Sequence, residues 1–339
     1  MSNTDIPLPI SEYEKLVAEV TAKGLFKRTY WHYGICAGIA LGCIGASFYM
    51  LTLTHNALIQ ALNGLLFAFG SVQLGMIGHD LSHGEVFESK SVNRFFSTLQ
   101  WGLFGGLSEG RWYDKHNAHH KHPNHMEHDP DLEIPFIFSH KQVEARTWVF
   151  KHLMLPYQHY LFFLALPLIY PANIAYSMAF IFTNISPRTA IEILLMIAHF
   201  AILLFMPFFF LPAFSALVFL VVSFTAIGAY MSMAFAPNHK GEHVLGGSEQ
   251  FNWTHQITLT RNIYPSWPVF YLLGGLNFQI EHHLFPTMSR LNYWRARDIV
   301  KKFCAERAIS YHETTWLESM KEIHDALKEE ALAWRAREK

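Results

Sequence analysis

The clearest pattern along the chain is where charge is missing. No Lys, Arg, Asp or Glu occurs from Thr29 to His79. A bilayer crossing takes about 20 apolar residues, so this stretch is too long for one span and about right for two. The polar pair His55-Asn56 is the natural hinge, which predicts spans at residues 33–54 and 57–78. A second desert runs from Thr189 to Lys240, broken only by Glu192. Pro207 and Pro212 bracket its Phe-rich centre and predict spans at residues 190–211 and 213–236.

Two further apolar runs do not fit a simple crossing. Residues 152–187 are uncharged but interrupted by Pro156, Pro167, Pro171 and Pro187. They read as one or two helices lying at the membrane interface. Residues 95–107, with Gly102, Gly105 and Gly106, are too few to span.

Basic residues orient the scheme. Residues 1–32 hold four Lys or Arg, residues 79–189 hold nine and residues 237–339 hold thirteen, which accounts for all 26. Neither hairpin tip carries one, so the positive-inside rule puts both termini and the middle loop on the cytoplasmic side. The acidic and basic residues Asp5, Glu12, Glu14, Lys15 and Glu19 precede any apolar run, unlike a cleavable signal. The expected fold is an all-α membrane protein of one domain over residues 1–339. Four spans form two hairpins, and residues 79–189 and 237–339 form a cytoplasmic helical cap that includes the interfacial helices.

Composition agrees. Charged residues are 16% of the chain, against about 25% in a soluble domain. A hydrophobic share of 51% excludes disorder. The formal charge of −1 offers no footprint for nucleic acid. Three cysteines make no disulfide framework and read as reduced thiols. The excess is histidine, with 21 residues.

Their spacing carries the chemistry. His79 and His83 stand at i and i+4, one helical face. His116, His119 and His120 stand at i, i+3 and i+4, again one face. Gln279, His282 and His283 repeat that spacing with Gln first, and His239 follows the last span. In the topology above all eight histidines reach the cytoplasmic membrane face. Eight imidazoles exceed the needs of one metal, whereas two five- or six-coordinate metals would use them all. Imidazole suits Zn, Cu, Fe and Ni alike, so the donors alone do not choose. The carboxylate-bridged di-iron bundle needs Glu-x-x-His, which is absent from the chain. Asp80, Asp114, Asp129, Asp131 and Glu281 lie beside the boxes and are candidates to support the imidazoles from behind. His32, His55, His159 and His199 read as structural, and His122, His125 and His128 as surface or supporting residues. His312 has no partner pattern.

The motifs HDLSH, HNAHH and QIEHH, with GHDLSHG, PNHKG and GGLNFQIEHHLFP around them, resemble the three histidine boxes of the membrane fatty acid desaturases. The resemblance covers roughly residues 75–310, and the Gln of the third box is similar to the front-end branch. It implies that His79, His83, His116, His119, His120, His239, His282 and His283 bind two irons, with O2 as co-substrate. Gln279, Asn238 and Asp80 stand where they would support those ligands. Branches with a ninth histidine also carry an Asn four residues before the position of His239, where this chain has Phe235. No HPGG haem signature occurs, so the expected electron donor is a separate ferredoxin or flavin reductase.

The implied reaction is desaturation of a fatty acyl chain carried by coenzyme A or a membrane lipid. Phe208–Phe210, Phe162, Phe163, Gly75 and Gly78 are tunnel candidates, although ordinary packing explains them as well. Arg111, Trp112, Lys115, Arg261 and Asn262 are candidates for a head group. Histidine boxes alone also fit a membrane lipid hydroxylase, against which QIEHHLFP favours desaturation. A metal transporter would place ligands at the bilayer midplane, where the spans hold only Glu192 and isolated histidines. From Thr315 onward, a Thr315/Glu318 capping box and the stripe Trp316, Met320, Ile323, Leu327 predict an amphipathic helix lying on the cap or the membrane.

Overall fold

The computed structural model describes residues 8–132, 148–246 and 249–337. The short helix α1 (Ile10–Ala22) precedes two long apolar helices, α2 (Tyr30–Leu53) and α3 (Ala57–His83). They form the first predicted hairpin. Asn56 closes its tip by accepting the backbone N–H groups of Leu58 and Ile59 at 2.9 and 3.2 Å. α3 runs more than a turn beyond residue 78, so His79 and His83 ride on its last turn rather than in a loop. Gly84, at φ +74°, stops it in the left-handed conformation that glycine adopts without strain.

The second hairpin is α6 (Pro187–Phe210) and α7 (Ala213–Phe235), numbered after α4 (Lys90–Leu99) and α5 (Glu109–Lys121). Ser186 and Thr189 form the capping box that starts α6. α3 packs between α2 and α7 at very short range. A Cβ on Gly64 would stand 2.9 Å from the Phe219 carbonyl, and one on Gly70 2.8 Å from that of Ala40. Small residues let apolar helices approach this closely where no hydrophobic force separates them from lipid. Outward residues such as Ile35, Tyr49, Leu194 and Phe205 are more than half exposed, as a lipid-facing surface requires.

Five described helices are long and apolar enough to cross a membrane, one more than the four expected. The fifth is the helical run Phe150–Thr183, expected to lie at the interface. Pro156 and Pro167 are absorbed as 3-10 turns at Leu155–Tyr157 and Leu166–Leu168, and Pro171 sits in the first turn of the α-helical stretch Ile169–Thr183. At its start Gln158 donates to the Leu327 carbonyl at 3.0 Å. Near its end Phe180 lies against Gly110. Between these, the Pro167 carbonyl fits a groove at Gly228, where a Cβ would stand 2.5 Å away. The run at residues 95–107 does not span. α4 passes into a π turn, Gln100–Phe104, that inserts against Leu195 and against His199, whose Nδ1 meets the Leu103 carbonyl at 2.9 Å.

The cap has its own core. Leu16 and Val20 of α1 pack with Phe278 and with Tyr293, Val300 and Phe303 of α9 (Tyr293–Glu306), which follows the box helix α8 (Gln279–Leu284). Two short parallel strands, β1 (Arg261–Ile263) and β2 (His312–Thr314), pair Arg261 with His312. The expected amphipathic helix is α10 (Trp316–Arg337), with Thr315 and Glu318 in their capping box. Its stripe residues Met320, Ile323 and Leu327 pack on Phe162, Leu166 and Met233, which covers the run Phe150–Thr183 from the cap side.

Candidate metal centre

Each box occupies a helix end that points at the same place. α3 contributes His79 and His83 from its last turn, and α5 contributes His116, His119 and His120 from one face. On α8 the adjacent His282 and His283 diverge by about 100° around the helix axis, so one helix supplies two sites. The result is two groups of nitrogen donors, each within 4.8 Å of one another. His79, His83, His116 and His282 make the first, and His119, His239 and His283 the second. His120 bridges toward the first, its Nε2 3.1 Å from the Nε2 of both His116 and His282. All eight predicted histidines therefore converge.

The donor arrangement fits cations. His116 Nε2 lies 3.1, 2.9 and 3.1 Å from the Nε2 atoms of His79, His83 and His120. A neutral imidazole nitrogen either donates once or accepts, so hydrogen bonds cannot satisfy three such neighbours together. A metal ion among the lone pairs satisfies all of them. His283 Nε2 is buried and has no hydrogen-bond partner, as an unused donor atom would be. Burial, and then repulsion by the other imidazoles, holds His116, His120, His282 and His283 well below the ordinary histidine range. Burial and His119 do the same to His239. These rings are neutral at pH 7, the form that binds metal.

The outer nitrogens are fixed from behind. His79 Nδ1 meets Asp80 Oδ1 at 3.1 Å, His119 Nδ1 meets Asp129 at 2.9 Å, and His282 Nδ1 meets the Tyr293 hydroxyl at 3.1 Å. His283 Nδ1 donates to Gln256 Oε1 at 2.8 Å. Such contacts fix the tautomer and turn the Nε2 lone pair inward. Asp80 is itself held by Tyr33 at 2.9 Å and by the Arg290 guanidinium. Burial alone would depress His119, but Asp129 and Asp131 outweigh it and raise that ring above the ordinary range. Burial raises the Asp131 carboxyl, and Lys115 and His119 overcome it and hold the group far below its usual value.

Gln279 faces the second group, its Nε2 2.9 Å from His239 Nε2, and Asn238 Nδ2 donates to Gln279 Oε1 at 3.1 Å. Two acidic candidates have no such role. Asp114 is exposed, and Glu281 turns away to accept from Asn262 and Tyr311 at 2.7 Å each. Burial pushes the Glu281 carboxyl up to about 7. The sequence reading also missed four supports: Glu85, Gln256, Tyr293 and Arg290. Glu85 is fully buried, with Oε1 3.7 Å from His282 Nδ1. Its place two residues after the first box was the available signal. The other three lie too far along the chain from their partners to be read from spacing.

A cavity of about 510 Å³ opens beside the metal groups, with His116, His119 and His239 in its wall. Trp101, Phe162, Leu166, Ile169 and Phe235 make it largely apolar. Of the tunnel candidates Phe162 lines it, whereas Phe208 and Phe209 are 46% and 65% exposed at the far end of α6. Arg111, Trp112 and Lys115 line it as well. Arg261 and Asn262 do not. Arg261 clamps the His239 loop by donating to the Pro237 and Lys240 carbonyls, and Asn262 ties β1 to α8 through Glu281.

The family model of fatty acid desaturases matches residues 55–315. The chain is 27% identical to "Fatty acid desaturase 3" of Bos taurus, over 96% of this chain and 74% of that protein. It is 28% identical to "Acyl-lipid (9-3)-desaturase" of Physcomitrium patens, over 96% of this chain and 64% of the relative. With "Delta(8)-fatty-acid desaturase 2" of Arabidopsis thaliana the identity is 30%, over 91% and 72%. The chain thus spans about two thirds to three quarters of the length of these three relatives. The match encloses every helix that carries a box, and the chain belongs to the fatty acid desaturase family of oxidoreductases.

Proposed function

We propose that the chain is an O2-dependent di-iron desaturase that places a cis double bond in a fatty acyl chain held by coenzyme A or a lipid. The observation that carries this is the convergence of eight imidazoles into two groups beside a largely apolar cavity. His79, His83, His116, His120 and His282 would hold one iron. His119, His239 and His283, with Gln279 beside them, would hold the other. Removing hydrogens from unactivated methylenes exceeds the power of any side chain, and the iron pair supplies that oxidising chemistry when bound.

The residues of the chain supply the rest. Asp80, Asp129, Tyr293 and Gln256 fix the imidazoles so that the ligand geometry costs little reorganisation. Trp112 stacks on His116 with ring centroids 4.4 Å apart, and Trp101 backs Trp112 at 4.8 Å. This rigid wall keeps water from the acyl chain and presents one part of it to the histidines.

The membrane arrangement follows from the same elements. Both hairpin tips lack basic residues, and the histidines sit at the opposite helix ends, which supports a cytoplasmic metal site and cytoplasmic termini. The run Phe150–Thr183 meets the C-terminal helix α10 at one end and the box helix α5 at the other. Contacts with the cap at both ends support its lying along the membrane surface, which leaves four crossings in two hairpins. Electrons would reach the cap from a separate ferredoxin or flavin reductase.

Iron per chain in the purified protein tests the ligand set. Two iron ions are expected in the wild type and fewer in His283→Ala. Full loading of that variant, or zinc in place of iron, would overturn it.

A further inference from the structure

Among the described residues three cations line the cavity beside the histidines, and they are not equivalent. Lys115 is ion-paired with Asp131, and Lys240 donates to the Asp131 carbonyl at 2.7 Å. Arg111 is half-buried on the same wall and touches neutral groups. Its Nη1 donates to Asn173 Oδ1 at 3.1 Å, and its guanidinium lies 4.9 Å from the centre of the Tyr176 ring. Among the described residues no carboxylate is paired with it. A guanidinium has five N–H donors in a planar fork, and among the described residues only Asn173 accepts from its side chain. Asp131 acts on it through space but is already ion-paired with Lys115, and a partly desolvated cation stays costly until a ligand supplies more charge. Asn173 and Tyr176, three residues apart on the facing helical run, hold the fork in place from the opposite wall.

We propose that Arg111 binds a phosphate of the acyl carrier at the head-group end of the substrate, an inference that rests on the desaturase reading. Phosphate matches the guanidinium fork in shape and charge, and both coenzyme A and phospholipids present it. Arg111 precedes His116 by five residues, about 7.5 Å along α5. The anchor and the histidines therefore share one rigid helix. The position of the double bond is then counted from the head group, because a fixed length separates the held phosphate from the metal groups.

The test measures binding to the purified full chain in detergent, with no turnover required. The probes are stearoyl coenzyme A, stearoyl lysophosphatidylcholine and octadecanol, which has the chain without the phosphate. Arg111→Gln is expected to weaken at least one phosphate-bearing probe about tenfold and to leave octadecanol unchanged. Arg111→Lys should recover part of the loss. Loss confined to stearoyl coenzyme A assigns the carrier to coenzyme A, and loss confined to the lysolipid assigns it to a lipid. Unchanged affinity for both, or an equal loss for octadecanol, would overturn the proposal. Phosphate-dependent binding without double-bond formation would keep Arg111 and remove desaturation. Double bonds with unchanged affinities would do the reverse.

Discussion

Asp129 accepts the Nδ1–H of His119 at 2.9 Å, which turns the opposite ring nitrogen toward His239 Nε2, 3.2 Å away. The carboxylate is positioned in turn by the backbone N–H groups of Asn124 and Asp131 at 2.7 and 2.8 Å. One acid thus ties the second metal group to the loop that follows α5.

Asp129→Asn keeps the size of the side chain and removes its charge. The variant is expected to hold its metal 10- to 100-fold more weakly, the usual cost of losing such a support. Iron retained after dialysis against a chelator checks this. Retention equal to the wild type would show that His119 needs no such partner.

Acid should release the two metals in order. Protons compete with metal for imidazole nitrogen. His116, His120 and His282 of the first group sit well below the ordinary histidine range because of burial and mutual repulsion. Protons therefore compete poorly there. In the second group His239 and His283 are lowered likewise, and His119 alone is raised by Asp129 and Asp131, so at that one ligand protons compete at higher pH. Iron per chain measured from pH 7.5 to pH 5 is expected to fall in two steps, the first removing about half of the metal. A single step would contradict the assignment.

Gly228 is the place where the run Phe150–Thr183 meets α7. A Cβ there would stand 2.5 Å from the Pro167 carbonyl, a backbone atom that cannot rotate away. Gly228→Ala is expected to cost about 1–3 kcal/mol through overpacking. Thermal unfolding in detergent measures it, and an unchanged midpoint would mean that the run does not pack there.

The convergence of the histidines was legible because its information is local. An i, i+4 or i, i+3, i+4 spacing puts imidazoles on one helical face whatever the rest of the chain does, as His79 with His83 and His116 with His119 and His120 illustrate. The long apolar helices were legible because lipid imposes a length. Asn56 and Pro212 mark both tips. The supports were less legible because they are tertiary. Arg290 reaches Asp80 from 210 positions away, and Tyr33 reaches it from 47. The run Phe150–Thr183 is ambiguous for a physical reason. Its apolar length suits a crossing and its prolines suit an interface, so sequence alone points both ways.

His312 looked unpartnered in the sequence and is not. Its Nδ1 meets Glu242 Oε1 at 2.7 Å, beside the Arg261 clamp on the His239 loop. The hydrogen bond to Glu242 raises this imidazole above its ordinary value. A raised folded value means stability that is fully present below the ordinary histidine range and lost as pH rises through the folded value. His312→Ala should therefore lower the melting temperature at pH 6 more than at pH 8.5. The side chain is 37% exposed and screened by solvent, so the effect stays below about 1 kcal/mol. Iron content is expected to be unchanged. A loss larger at pH 8.5 would reverse the sign and refute the pairing.

Oxidation of an acyl chain by this constellation is open to direct measurement. Expression with a compatible reductase, followed by gas chromatography of the derivatised host fatty acids, tests it most directly. The wild type is expected to produce new cis double bonds at one position counted from the head group, and His119→Ala none. Hydroxylated fatty acids, or host lipids left unchanged by an iron-loaded chain, would rule out desaturation.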